Sequence, residues 1–181
     1  MLMFYDCGLY NFPWYYLLSA LIVSTGIINA YNFMDGINGI TGGYSVIVIG
    51  SFWWINNNIH SFIDNNLLYV ILCSLLIFNF FNFRKAAKCF AGDVGAVSIA
   101  FIVVFLLGKL IAETGDISYL IILILYGVDS MLTIVHRLVL KENIFKAHRK
   151  HLYQIMSNEL KIPHIRVSII YMTTQSLIMI G

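Results

Sequence analysis

Apolar residues run through this chain in long blocks that do not alternate, and polar residues gather in short clusters between them. Six blocks stand out: about Trp14–Tyr31, Ile40–Ile55, Leu67–Phe83, Val94–Ala112, Ile117–Val135 and Ile165–Gly181. A helix needs roughly 20 apolar residues to cross a bilayer, within a range of about 17 to 25. The second block is short, and the last stops where the chain does. Their β-branched and aromatic content suits strands. Yet blocks this long and unalternating fit helices, because backbone facing lipid must satisfy its own hydrogen bonds. The expected fold is an all-α, polytopic transmembrane helix bundle of about six spans.

Composition agrees with that pattern. Of 181 residues, 60% are hydrophobic and 11% charged, with a mean hydropathy of +0.82. A soluble domain covers itself with about 25% charged residues, so lipid must face most of this surface. The first residues up to Pro13 contain Asp6 and no Lys or Arg, unlike the basic start of a secretory signal. Cys7, Cys73 and Cys89 are scattered and odd in number, and imply neither a disulfide framework nor a metal-ligand spacing.

Charge gives the chain an orientation. Arg84, Lys85, Lys88, Arg137, Lys141, Lys146, Arg149, Lys150, Lys161 and Arg166 fall in the connections that follow the first, third and fifth spans. The opposite connections carry Asp64, Glu113 and Asp116. Of 11 Lys and Arg, only Lys109 lies elsewhere, near the far end of the fourth span, where its stem can snorkel. By the positive-inside rule the basic side is cytoplasmic, and both termini lie outside. Asn56-Asn57-Asn58 and Asn65-Asn66 bracket a short outer turn around His60.

Three polar clusters then share the cytoplasmic face: Asn29-Ala30-Tyr31-Asn32-Phe33-Met34-Asp35-Gly36-Ile37-Asn38-Gly39, Gly92-Asp93-Val94-Gly95, and His148-Arg149-Lys150-His151-Leu152-Tyr153-Gln154. Asp93 lies at the N-terminus of the fourth span, where an anion gains from the helix dipole. A simple helix cap is therefore one reading and a ligand site another. Asn32, Asp35 and Asn38 recur every three residues and share one face of a helical turn, or form a solvated loop. Juxtamembrane charge against lipid headgroups accounts for Lys146, Arg149 and Lys150. It does not account for His148 and His151, which with Arg149 suit phosphate oxygens. Asp129, inside the fifth span, is a functional candidate by its position.

Two carboxylates and a basic loop at one membrane face suit a divalent cation clamped on a diphosphate. Magnesium takes one or two carboxylates and fills its shell with phosphate oxygens and water, and phosphoryl transfer needs mainly positioning and charge neutralisation. The residues alone lead to a membrane enzyme acting on a phosphate-bearing substrate.

In the same residues the chain resembles the polyprenyl-phosphate N-acetylhexosamine-1-phosphate transferases (glycosyltransferase family 4). The Asn29–Gly39 run is similar to the family's Asn-rich Asp-Gly-x-Asp-Gly motif, and Phe90-Ala91-Gly92-Asp93-Val94-Gly95 to its Phe-Met-Gly-Asp-x-Gly-Ser motif. The His148–Gln154 run resembles the His/Arg-rich loop of the branch that uses UDP-N-acetylglucosamine. The resemblance implies transfer of a phospho-N-acetylhexosamine from a UDP-sugar, expected to be UDP-N-acetylglucosamine, to undecaprenyl phosphate. UMP is released, and cell-wall or surface polysaccharide synthesis begins at the plasma membrane. It assigns Asp93 and Asp35 to catalysis, with Asp93 as ligand of magnesium, or manganese in its place. Asn29, Asn32, Asn38, Asn82, His148, Arg149 and His151 would bind substrate. The implied partners are the UDP-sugar, the lipid carrier, the bilayer and a second copy in a homodimer, with no role for nucleic acid.

Some positions depart from the family pattern. Asn38 replaces its second Asp, Ala96 stands where Ser is usual, and no Asp-Asp pair precedes the first cluster. Family members also have more spans. Residues 1–181 are accordingly expected to be a single integral membrane domain, the C-terminal part of a larger fold shortened at its N-terminus. A catalytically inactive remnant is the rival expectation, and a small transporter subunit a third, which would need polar residues through several spans.

Overall fold

A computed structural model describes residues 14–143 and 149–180. They form α1 (Trp14–Met34), α2 (Ile40–Asn58), α3 (Asn65–Asn82) and α4 (Gly92–Thr114). A 3₁₀ segment, Ile117–Leu123, then runs into α5 (Ile124–Val139). A short turn, α6 (Leu152–Gln154), leads through a π-helical turn at Ile155–Glu159 to α7 (His164–Ile180). No strand occurs among the described residues. The protein is an all-α membrane bundle.

Among the described residues four segments are long and apolar enough to cross a bilayer: Trp14–Met34, Asn65–Asn82, Gly92–Thr114 and the joined Ile117–Val139. The other two expected spans fall short of that measure for visible reasons. Asn56, Asn57 and Asn58 dilute α2, and α7 has only 17 helical residues, among them Ser168, Thr173, Thr174, Gln175 and Ser176. Even so, α2 is the centre of the bundle. Its Ile40, Tyr44, Val48, Ile49 and Phe52 are fully buried, and it packs against both α3 and α7. A helix surrounded by protein need not be lipophilic all round.

Glycines at the start of α2 allow that close packing. A Cβ at Gly39 would meet the Phe83 ring at 2.3 Å, and one at Gly43 would meet Met172 Sδ at 2.6 Å. Gly39 also holds φ = 84°, which a side chain would disfavour. Tyrosines fill the middle of the core. The Tyr44 and Tyr126 rings stack at 3.7 Å, and Tyr31 meets both edge-on. By contrast, α1 buries only Ala30, Tyr31 and Met34 and exposes most of its length.

The helices alternate in direction, so the ends of α1, α3 and α5 meet the starts of α2, α4 and α7. Cross-links at that end make the juncture concrete. Gly39 N–H donates to Asn82 Oδ1 at 2.7 Å, and Ser168 Oγ donates to the Asn38 carbonyl at 2.8 Å. The opposite end carries the Asn56–Asn65 turn and the His60–Glu113 pair at 3.2 Å.

Candidate active site

The two carboxylates lie on different elements and come together at the junction of α1, α2 and α4. Asp35 follows the last residue of α1, and Thr41, in the first turn of α2, donates from Oγ1 to Asp35 Oδ1 at 2.7 Å. The Gly92 amide also faces this carboxylate, and Asp93 is near enough to repel it. Burial, opposed by the Thr41 and Gly92 donors and reinforced by Asp93, holds the Asp35 carboxyl above its ordinary value. Asp93, in the first turn of α4, is exposed. Gly92 takes φ = 60° at the turn that starts the helix, where a side chain would be strained.

The asparagines divide into two kinds. Asn38 and Asn82 are structural hooks. Asn38 Nδ2 donates to the carbonyls of Arg84 at 2.9 Å and Lys85 at 3.2 Å. Asn82, buried, accepts from Gly39 and donates from Nδ2 to the Cys89 carbonyl at 2.8 Å. Together they fasten the 83–91 loop, which leads to Asp93, onto the turn that carries Asp35. Asn32 differs, because its buried Oδ1 has no hydrogen-bond partner. Such a group costs about 1–3 kcal/mol, so a ligand donor there would recover that energy. Asn29 is exposed on α1, one turn earlier.

The third cluster docks onto the first through a residue that sequence reasoning gave no role. Tyr153 Oη donates to the Phe33 carbonyl at 2.8 Å. A Cβ on Gly36 would lie 2.2 Å from that same Oη, so glycine makes the seat. His151 is buried, and its ring stacks with Phe33 and with Tyr153 at centroid distances of 6.1 and 6.0 Å. Its Nδ1 lies 3.5 Å from Asp129 Oδ1. Arg149 is exposed, whereas His148 lies outside the described residues.

The stem of the basic loop is itself closed by ion pairs. Buried Arg137 donates from Nε to Glu142 Oε2 at 3.5 Å and from Nη2 to the Asn143 carbonyl at 2.5 Å. Glu142 also pairs with Lys150, which holds its carboxyl below the ordinary value. Arg149 is exposed and forms no ion pair among the described residues. The sequence offered one signal for this clip: Arg137 and Glu142 are five residues apart at a span end.

Among the described residues no group of three or more His, Cys, Asp or Glu could form an all-protein metal cage. Asp35 and Asp93 suit instead an ion that keeps open positions for phosphate and water oxygens.

Comparison with known proteins bears on this arrangement. Residues 1–111 match the family described as Glycosyl transferase family 4, a stretch that holds Asp35 and Asp93 but not the basic loop. The chain is 30% identical over 151 residues to the phospho-N-acetylmuramoyl-pentapeptide-transferase of Thermotoga neapolitana, covering 81% of this chain and 47% of that protein. The same-named protein of Thermotoga petrophila is 28% identical over 142 residues, covering 78% and 43%. A probable undecaprenyl-phosphate N-acetylglucosaminyl 1-phosphate transferase of Bacillus subtilis is 30% identical over 132 residues, covering 71% and 37%. The chain thus spans less than half the length of these relatives.

Proposed function

Because the chain belongs to glycosyl transferase family 4, we propose that its polar end transfers a phospho-N-acetylhexosamine from a UDP-sugar to a polyprenyl phosphate. The observation that carries this reading is that Asp35 and Asp93 lie close enough to interact, while Tyr153, just after the basic run, bonds to the Phe33 carbonyl two residues before Asp35. A diphosphate needs negative charge neutralised on one side and donors on the other, and this end of the bundle supplies both kinds of group.

In the proposed reaction a phosphate oxygen of the lipid attacks the β-phosphorus of the UDP-sugar. The bond from that phosphorus to the bridging oxygen breaks, UMP departs with the bond's electrons, and a lipid-linked sugar diphosphate remains. Asp93, which is exposed, and Asp35 would hold magnesium, which would draw charge from the diphosphate oxygens when bound. Arg149 would bind the outer phosphate oxygens, and Asn32 Oδ1 would accept from a sugar or base donor. Asn38 and Asn82 keep the two carboxylates in register and need not touch substrate. In the described conformation His151 is buried against Phe33 and Tyr153.

The donor is proposed to be UDP-N-acetylglucosamine, supported by the His/Arg-rich run of the third cluster. Relatives of both donor classes match at similar identity, so a muramoyl-pentapeptide donor belongs in the same test. Placement of the site at the cytoplasmic face of the plasma membrane rests on the basic residues gathered at the polar end.

Membranes carrying the chain, given magnesium, undecaprenyl phosphate and radiolabelled UDP-N-acetylglucosamine, should form a labelled lipid. Asp93→Asn should lower that product by about 100-fold or more, the usual scale for loss of a group that stabilises transition-state charge, at unchanged protein level. Label arriving only from the muramoyl donor would reassign the substrate. No labelled lipid from either donor would sink the reading for this chain.

A further inference from the structure

A groove of about 520 Å³ lies between α2, α3 and α4, and the reaction above places nothing in it. Sites that hold small ligands measure roughly 300–1,000 Å³. Gly95, Ile99 and Ile102 form its α4 wall, at the spacing of one helical face. Glycine makes the room. A Cβ on Gly95 would meet the Ala91 methyl at 3.1 Å and, among the described residues, no side chain of another helix within 4 Å.

One end of this groove is the candidate active site. Thr41, on the α2 floor, donates to Asp35 Oδ1 at 2.7 Å. Ala91, at the top of the α4 wall, precedes Gly92, whose amide faces the same carboxylate. From Gly95 to Ile102 the groove then runs about 10.5 Å along α4, away from the polar end and into the membrane. Its long side is open, for Val70 and Phe90 on the rim are 62% and 73% exposed. A hydrocarbon chain can therefore enter sideways from the bilayer.

The lining has little to give a polar ligand. Thr41 spends its proton on Asp35, and Ser74 Oγ donates to the Val70 carbonyl at 2.8 Å. Beyond a third hydroxyl, Ser45, the walls are aliphatic, aromatic or glycine. A sugar or nucleotide finds no set of partners there. What the groove offers is close packing, the force that remains selective within lipid. Hollows beside glycine suit a methyl-branched chain.

We propose that the groove holds the phosphate-proximal part of the acceptor's polyprenyl tail, so that the lipid phosphate reaches the Asp35–Asp93 pair while its chain stays in hydrocarbon. The proposal rests on the transfer reading, which supplies a lipid whose phosphate must come to those carboxylates.

The test uses the full chain in lipid nanodiscs and an undecaprenyl phosphate analogue with a diazirine in its phosphate-proximal isoprene units. Irradiation should label the α3 and α4 walls, and excess undecaprenyl phosphate should abolish the labelling. Dioleoyl phosphatidate, also an anionic phosphate monoester, should not compete at the same concentration. Ser74→Trp, which fills the groove from its rim, should weaken undecaprenyl phosphate binding by about tenfold or more, a loss of about 1.4 kcal/mol. Binding of UDP with magnesium should be unchanged. Ile77→Trp, on the same helix but outside the groove, should alter neither. Labelling confined to α1 or α5 overturns the proposal, and this needs no variant to observe. Equal competition by phosphatidate also overturns it, by making the groove an ordinary phospholipid site. So does unaltered acceptor affinity in Ser74→Trp, including the case where that variant loses only self-association. Label elsewhere with sugar transfer intact defeats the groove alone. Label in the groove with no transfer from either UDP-sugar defeats the transfer reading alone.

Discussion

At Gly36 a missing side chain does chemical work. The Tyr153 hydroxyl occupies the space a Cβ would need, and that hydroxyl ties α6 to Phe33. Gly36→Ala should lower stability by about 1–3 kcal/mol through overpacking. In thermal unfolding of the detergent-solubilised protein, Tyr153→Phe should add less than its own cost in that background, because both changes act on one contact. Asp35 makes a second prediction at this scale. Its carboxyl is held above the ordinary value of 3.8, chiefly by burial. The folded state therefore binds the proton more tightly than the unfolded chain, so this contribution is complete below the ordinary value. It is lost as pH rises from there through the folded value. Asp35→Asn should remove that pH dependence and melt higher than the wild type at neutral pH. Magnesium should raise the melting temperature of the wild type and leave the variant unmoved.

Elements were the most legible part of the sequence, and their ends the least. All six apolar blocks became helices, because long unalternating runs leave the backbone no other way to satisfy itself in lipid. The turn around His60 lies between α2 and α3, and the Asn56-Asn57-Asn58 run that brackets it forms the last turn of α2. Asn57 and Asn58 bond back to the carbonyls of Trp53 and Trp54, while Asn56 holds the loop through Ile63. The fifth block opens as a 3₁₀ segment, a change of pitch that hydropathy does not register. In the candidate site, residue types were legible and partners were not. Nothing in the spacing showed that Asn38 and Asn82 turn their amides to backbone, since that depends on which loop lies beneath them. Asn82→Ala should expose the point: it strands the Gly39 N–H and the Cys89 carbonyl in a buried place, costing about 2 kcal/mol. Thermal unfolding should register that loss, with the helical circular dichroism signal retained.

For the whole molecule, the bonds from Tyr153 to Phe33 and from Ser168 to Asn38 bring residues more than a hundred positions apart to one end of the bundle. Cysteines introduced at Lys88 and Arg149 should therefore react with a membrane-impermeant maleimide from one side of sealed vesicles, and those at Asn58 and Asp116 from the other. Labelling of the first pair in different compartments would dismantle the shared site.

One buried amide couples the two ends of this molecule. Gln175 of α7 accepts from Tyr44 Oη and the Leu125 amide and donates to the Ile121 carbonyl, at 3.1, 3.3 and 3.2 Å. It thereby serves the backbone groups freed where the 3₁₀ segment gives way to α5. Seven residues of 3₁₀ helix advance about 14 Å, against about 10.5 Å for α. Rewinding them would slide Asp129 by roughly 3.5 Å and swing it well around the helix axis. The far half of the fifth span thus acts as a ruler, its pitch setting the depth and bearing at which Asp129 meets Tyr171 and the Leu152 amide.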